Sequence, residues 1–218
     1  MDKFFDSDNP VMKFLARLVD LAILNVLTLL YSVPLITLGG AQAAMHYVLL
    51  HLVRGDETYV GRMFVRSFRE NFRQGAAEGL MLLAIAAVTV TDLRFLRGSE
   101  SRSVTAMMII ITIVAAFIFI IFVYIFALQS RYENSLKVTV ANAVKLAIGN
   151  LPKSLLMALT WLIWGAALVY LHGAAPIAFL LYGLTLPSYI CSMLLSGIFA
   201  KLEEQSGETE DKNRLSED

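Results

Sequence analysis

Five polar residues sit where this chain leaves little room for them: Asp20, Asn25, Gln42, His46 and Glu78. Each interrupts an apolar stretch of a sequence whose 218 residues are 57% hydrophobic. Ionisable and amide side chains in such stretches can relay protons, line a solute path, or hydrogen-bond one helix to another. Gln42 and His46 are four apart and so share one face of a helix. Asp20 lies three residues beyond Arg17, a spacing that predicts a local ion pair. Asp20, His51 and Glu78 are expected to meet at one end of a bundle. A metal ion held by Gln42, His46 and a carboxylate is conceivable, but His172 is expected at the opposite end from His51. No shared histidine site is predicted. No HExxH, zinc-type spacing, Walker loop or GxSxG occurs, so no catalytic residue, metal or cofactor is expected. The reading is of a protein that is not an enzyme.

The elements that must carry these residues are set by where charge is missing. Val104 to Leu128 contains no charged residue. A helix rises ~1.5 Å per residue, so ~20 apolar residues cross a hydrocarbon layer of ~30 Å. Six such spans are predicted, at about 14–33, 38–53, 76–93, 104–128, 155–171 and 176–199. The second is short and rich in small residues. An apolar stretch followed by Ala41-Gln42-Ala43 mimics a cleaved signal peptide. It is read as a span instead, being longer than a signal core and holding Asp20, Asn25 and Pro34. With the N-terminus inside, the inner segments hold fifteen of the 18 basic residues, and the outer ones only Arg94, Arg97 and Arg102. That bias predicts a cell-membrane (inner or plasma membrane) protein with both termini cytoplasmic. Equal numbers of acidic and basic residues give no general footprint for nucleic acid. Cys191, the single cysteine, has no partner in the chain and reads as a small buried hydrophobe.

Two inner segments read as amphipathic helices. In Tyr59 to Arg73, Phe64, Phe68 and Phe72 recur every four residues, opposite Arg62, Arg66, Arg69 and Arg73. Such a helix can pack against the bundle and simply follow the positive-inside rule, lie on anionic lipid, or dock a protein. In Asn134 to Ile148, a stripe of Leu136, Val140, Val144 and Ile148 faces away from Lys137 and Lys145. The two segments resemble each other at an offset of 79 residues: Asn-Phe-Arg-Gln from Asn71 and Asn-Leu-Pro-Lys from Asn150 each lead into a span. The pattern hints at a repeated unit of an inner helix with its outgoing and returning spans. Residues 1–200 form the helical membrane domain, and the acidic stretch 201–218 is expected to lack order. The fold class is an all-α membrane protein: a six-span transmembrane helical bundle with two cytoplasmic amphipathic helices.

Several segments in order resemble the YesL-like integral membrane proteins of bacteria. They are Met1-Asp2-Lys3-Phe4-Phe5, Phe14 to Asp20 with Asn25, Val33-Pro34-Leu35-Ile36-Thr37-Leu38-Gly39, Ser67 to Phe72, Arg131 to Ser135, and Asn150-Leu151-Pro152. The resemblance implies a small multi-span protein, often encoded beside carbohydrate ABC importers, and carries no catalytic residues. ABC permeases dock their ATPase through a Glu-Ala-Ala loop ending in Leu-Pro. Here Glu133 precedes Leu151-Pro152 at suitable spacing, although Asn134 and Ser135 replace the alanines. The function expected is that of an accessory or partner protein of such an importer, working through lipid and ABC transporter subunits. The alternative is a small-solute transporter or channel using the intramembrane polar residues.

Overall fold

A computed structural model describes residues 10–56, 59–98 and 101–217, with 205–217 as backbone only. Lys3 and the Met1 to Phe5 segment lie outside the described residues. The chain is helical, in the order α1 (Pro10–Ser32), a short turn of 3-10 helix (Leu35–Thr37), α2 (Leu38–Arg54), α3 (Val60–Leu96), α4 (Arg102–Gln129), α5 (Leu136–Gly149), α6 (Leu151–Tyr170), a second 3-10 turn (His172–Ala174), α7 (Ala175–Tyr182) and α8 (Thr185–Glu217). Six of these helices are long and apolar enough to cross a membrane. Large apolar side chains face outward on α1, α3, α4, α6 and α7, among them Phe14, Val88, Ile113, Leu162 and Ile177. That is the surface of a protein solvated by lipid.

Three expected boundaries differ. The arginine segment and the third span are not two helices but one, the 37-residue α3. Residues 74–76, where charge gives way to apolar residues, contain no proline, and Gly75 between Gln74 and Ala76 does not stop the helix. At ~1.5 Å per residue α3 is about 55 Å long, more than a hydrocarbon layer spans, so its charged first turns project beyond it. The sixth span is broken between Tyr182 and Thr185 into α7 and α8. Finally, α8 continues as helix to Glu217 through the acidic stretch for which composition predicts no order. Its Lys, Glu, Gln and Arg are good helix formers in spite of their polarity.

The short second span is explained by its surroundings. In α2, 61% of the most apolar window is buried, against 6% in α3. A helix enclosed by protein does not have to match the thickness of the lipid. It packs on α3 through glycines at close range. A Cβ on Gly75 would fall 2.6 Å from the Gly40 amide nitrogen, and one on Gly79 2.6 Å from that of Gly39. Any other residue at these positions would push the two backbones apart, which is the use that membrane helices make of small residues.

The 79-residue offset can be followed through the helices. At the 79-residue offset taken from the sequence motifs, α2 matches the second half of α4, and α3 matches α5 followed by α6. Buried positions coincide at Met45 and Tyr124, Phe64 and Ala143, Gly75 and Ser154, and Glu78 and Met157. Asn71 Nδ2 donates to the Ser67 carbonyl at 2.9 Å, and its counterpart Asn150 Nδ2 donates to the Leu146 carbonyl at 3.1 Å. The copies differ in continuity. Pro152, near the start of α6, has no N–H and ends α5, whereas Arg73 at the matching position lets α3 run straight on.

Candidate functional site

Where the two copies meet, α3, α4 and α5 enclose a polar seam. Glu78 is fully buried. Its Oε1 accepts a hydrogen bond from Gln74 Nε2 at 3.1 Å, and Gln74 Nε2 also reaches Thr139 Oγ1 on α5 at 3.3 Å. From α4, Gln129 Nε2 donates to the Asn71 carbonyl at 3.1 Å. Glu78 Oε2 and Gln129 Oε1 are buried with no hydrogen-bond partner. Nearby, Tyr124 Oη and Ser154 Oγ are 3.1 Å apart, and Ser154 also donates to the Ala147 carbonyl. Gln129 was legible as the polar end of the charge-free run, and Gln74 as a residue one turn before Glu78. Thr139 carried no signal, because a lone threonine on an amphipathic helix is ordinary.

Asn25 does something else. It is fully buried and bridges the break between α7 and α8. Its Nδ2 donates to the carbonyls of Phe179 and Leu180 at 2.9 and 2.8 Å. Its Oδ1 accepts from the amides of Leu184 and Thr185 at 2.8 and 3.1 Å. A broken helix in an apolar setting leaves backbone groups that water cannot satisfy, and one amide side chain supplies both acceptor and donor. Thr185 Oγ1 returns a bond to the Leu21 carbonyl at 3.0 Å, and Trp164 Nε1 donates to the Gly183 carbonyl at 3.0 Å. The two tryptophans thus pack in the bundle, Trp161 edge-on to Phe119.

The remaining predicted residues are scattered. His46 is buried and faces Ser192 Oγ on α8 at 3.5 Å, with no hydrogen bond to the half-buried Gln42. Arg17 donates to the Leu52 carbonyl near the end of α2. Arg17 thus reaches the partial negative charge at the C-terminal end of α2 instead of closing the expected hydrogen-bonded ion pair with Asp20. Asp20 lines a groove with Lys13, Arg17, Asp56 and Tyr59. His51 bonds its own helix at the Tyr47 carbonyl. Asp20, His51 and Glu78 therefore do not meet, since Glu78 turns into the α3–α4–α5 seam. Among the described residues, no group of three or more metal-ligating side chains is found.

Arg62, Arg66, Arg69 and Arg73 are all exposed, on one face of α3. Of the phenylalanines opposite, Phe64 and Phe68 pack inside the protein and Phe72 stays partly exposed. Phe64 is fully buried, and Tyr31 packs edge-on to Phe64 and Phe68 at centroid distances of 5.3 and 4.8 Å. Arg66 pairs with Glu70 on its own helix at 2.9 Å. Lys137 and Lys145 are exposed on α5, and Lys145 lines a different groove with Tyr132, Asn142 and Glu203. Arg131 closes that groove by pairing with Glu203 and lying 5.2 Å from the Phe199 ring.

Residues 21–93 match the model of a family described as a protein of unknown function, DUF624. The chain is 25% identical over 154 residues to the "Uncharacterized protein YesL" of Bacillus subtilis (strain 168), covering 69% of this chain and 72% of that protein. No solved structure matches. The two sequence matches bear out the resemblance to the YesL-like proteins, and with the six apolar helices they describe a multi-pass membrane protein.

Proposed function

For a chain that resembles the YesL-like membrane proteins, we propose a non-enzymatic accessory role, in which the projecting half of α3 docks a partner protein through its arginines. One observation carries this reading: Phe64 and Phe68 of that segment are packed against Tyr31, leaving only Phe72 partly exposed, while Arg62, Arg66, Arg69 and Arg73 point outward. A helix that lay on the bilayer would need its phenylalanines for lipid. A helix whose phenylalanines are spent on its own protein presents its charges on a rigid rod. Exposed charges steer association and fix register more than they add affinity. The partner suggested by the family resemblance is a carbohydrate ABC importer, with its acidic surface meeting the arginines. The second helix pair offers Lys137 and Lys145 as a further contact.

The test is co-purification in mild detergent with the permease and ATPase subunits of such an importer. Replacing the four arginines with glutamine keeps helix propensity and removes the charge. Wild type is expected to retain the importer subunits in a salt-sensitive manner, and the quadruple variant to lose them while still inserting correctly. Equal recovery with both proteins would refute docking through this face.

A further inference from the structure

The seam contains a feature that partner docking does not use. Glu78 is a fully buried carboxyl group with one oxygen unpartnered, and Gln129, 7% exposed, has its amide oxygen unpartnered. Gln129 is anchored to the Asn71 carbonyl, which in an α-helix lies at the level of residue 75. The side chain of residue 78 leans back toward that same turn. The Glu78 carboxyl group and the Gln129 amide group are therefore both anchored along the same two turns of α3, and both bare oxygens are acceptors.

Burying a carboxylate without a counter-charge is among the costliest things a membrane bundle can do. The fold does not need it for packing. At the matching position of the second copy stands Met157, equally buried and apolar. Among the described residues no charged side chain pairs with Glu78, and the side chains bonded to its surroundings, Gln74, Thr139 and Gln129, are neutral. The titratable groups of the adjoining helices turn elsewhere. On α2, His46 faces Ser192 and His51 its own backbone. On α4, Tyr124 is held by Ser154. Lys137 and Lys145 of α5, and Arg69 and Arg73 of α3, are exposed.

We propose that Glu78, with the Gln129 amide oxygen as a neutral ligand, forms a binding site for a monovalent cation, a proton or a sodium ion, at the seam between the two repeated helix pairs. Membrane proteins built from repeats commonly bind ions at the repeat interface. A proton would reside on the carboxyl and be shared with the amide oxygen. Sodium would take both oxygens and leave the carboxylate ionised.

Thermal unfolding of the full chain in mild detergent tests this, with wild type compared against Glu78→Met, the residue the second copy already uses, and Glu78→Gln. If sodium is the ligand, replacing choline chloride by an equal concentration of sodium chloride at about pH 8.5 raises the wild-type midpoint by about 4 °C at tenfold saturation, and leaves both variants unmoved. If a proton is the ligand, the two salts act alike. The wild-type midpoint then falls between about pH 6 and pH 8.5 by several degrees more than either variant's. Either result supports the site. A wild type that shows neither the sodium gain nor the excess fall overturns it. Should the variants fail to fold, dicyclohexylcarbodiimide labelling of wild-type Glu78, read by peptide mass spectrometry, gives the answer. Labelling that slows with sodium or with rising pH supports the site, and labelling that is absent or indifferent to both overturns it.

Discussion

Replacing Asn25 by leucine tests how the α7–α8 break is held. The two side chains are close in volume, so packing is nearly conserved and the hydrogen bonds are isolated. Four bonds of 2.8–3.1 Å disappear. The Phe179 carbonyl keeps a second donor, the Gly183 amide at 2.8 Å. The Leu180 carbonyl and the amides of Leu184 and Thr185 lose the Asn25 side chain in a setting that excludes water. Interhelical hydrogen bonds in membrane proteins average ~0.6 kcal/mol and reach ~1.7, so three or four such losses sum to about 2–4 kcal/mol. The assay is equilibrium unfolding of the purified protein in mixed micelles, with Gln42→Leu as the control, since Gln42 is half-buried. Asn25→Leu should cost about 3 kcal/mol and lower the unfolding midpoint by roughly 5–10 °C, while Gln42→Leu should cost under about 0.5 kcal/mol. Equal effects of the two substitutions would mean that the break is held by packing and that the Asn25 bonds contribute nothing net.

Other expectations can be checked one by one. Gly75→Ala should displace α2 from α3, because the added methyl meets the Gly40 backbone. Its cost should exceed that of Gly61→Ala, where the same methyl meets nothing within 4 Å, and cysteine cross-linking between α2 and α3 would report the displacement. His46→Leu should cost about 1 kcal/mol or less by the same unfolding assay, since its single bond to Ser192 is 3.5 Å long. Reporter fusions should place residues 60, 140 and 218 inside and residues 98 and 173 outside, as the lysine and arginine bias implies. An exterior signal at 140 would reverse that orientation.

Much of the fold could be read from hydropathy and charge, because a bilayer permits few backbone solutions. Helix identity followed from length alone. Breaks did not. The end of α5 could be read in Pro152, which forbids continuation. The gap at Gly183 and Leu184 had a signal that was passed over, since Pro187 in the first turn of α8 bars a helix from running through Gly183; the clasp that satisfies the gap, Asn25, is more than 150 residues away and carried none. Glu78 was legible as a costly residue and Gln74 as its neighbour one turn earlier, but their meeting with Gln129 and Thr139 was not. Gln74, Gln129 and Thr139 come from three helices, and only tertiary packing brings them together. Of the readings the phenylalanine stripe allows, packing against the bundle fits Phe64 and Phe68 better than lying on lipid. A periodic apolar face states that it will be covered, not by what, and here Tyr31 covers much of it.

The glycine crossing of α2 on α3 also bears on how the chain enters the membrane during synthesis. α2 is short, only modestly apolar and enclosed on most sides in the finished protein. Leaving the translocation channel alone, it would meet lipid with Gln42, His46 and a row of glycine and alanine, a poor exchange for the interior of the channel. Its stable neighbour is α3, which emerges only after Gly55 and a short link. The two segments are thus expected to be retained by the insertion machinery and released as a helical hairpin, already locked through Gly39, Gly40, Gly75 and Gly79. On that account a bulky residue at the crossing does its damage before folding is complete, by delaying the hairpin's release and exposing it to quality-control proteolysis.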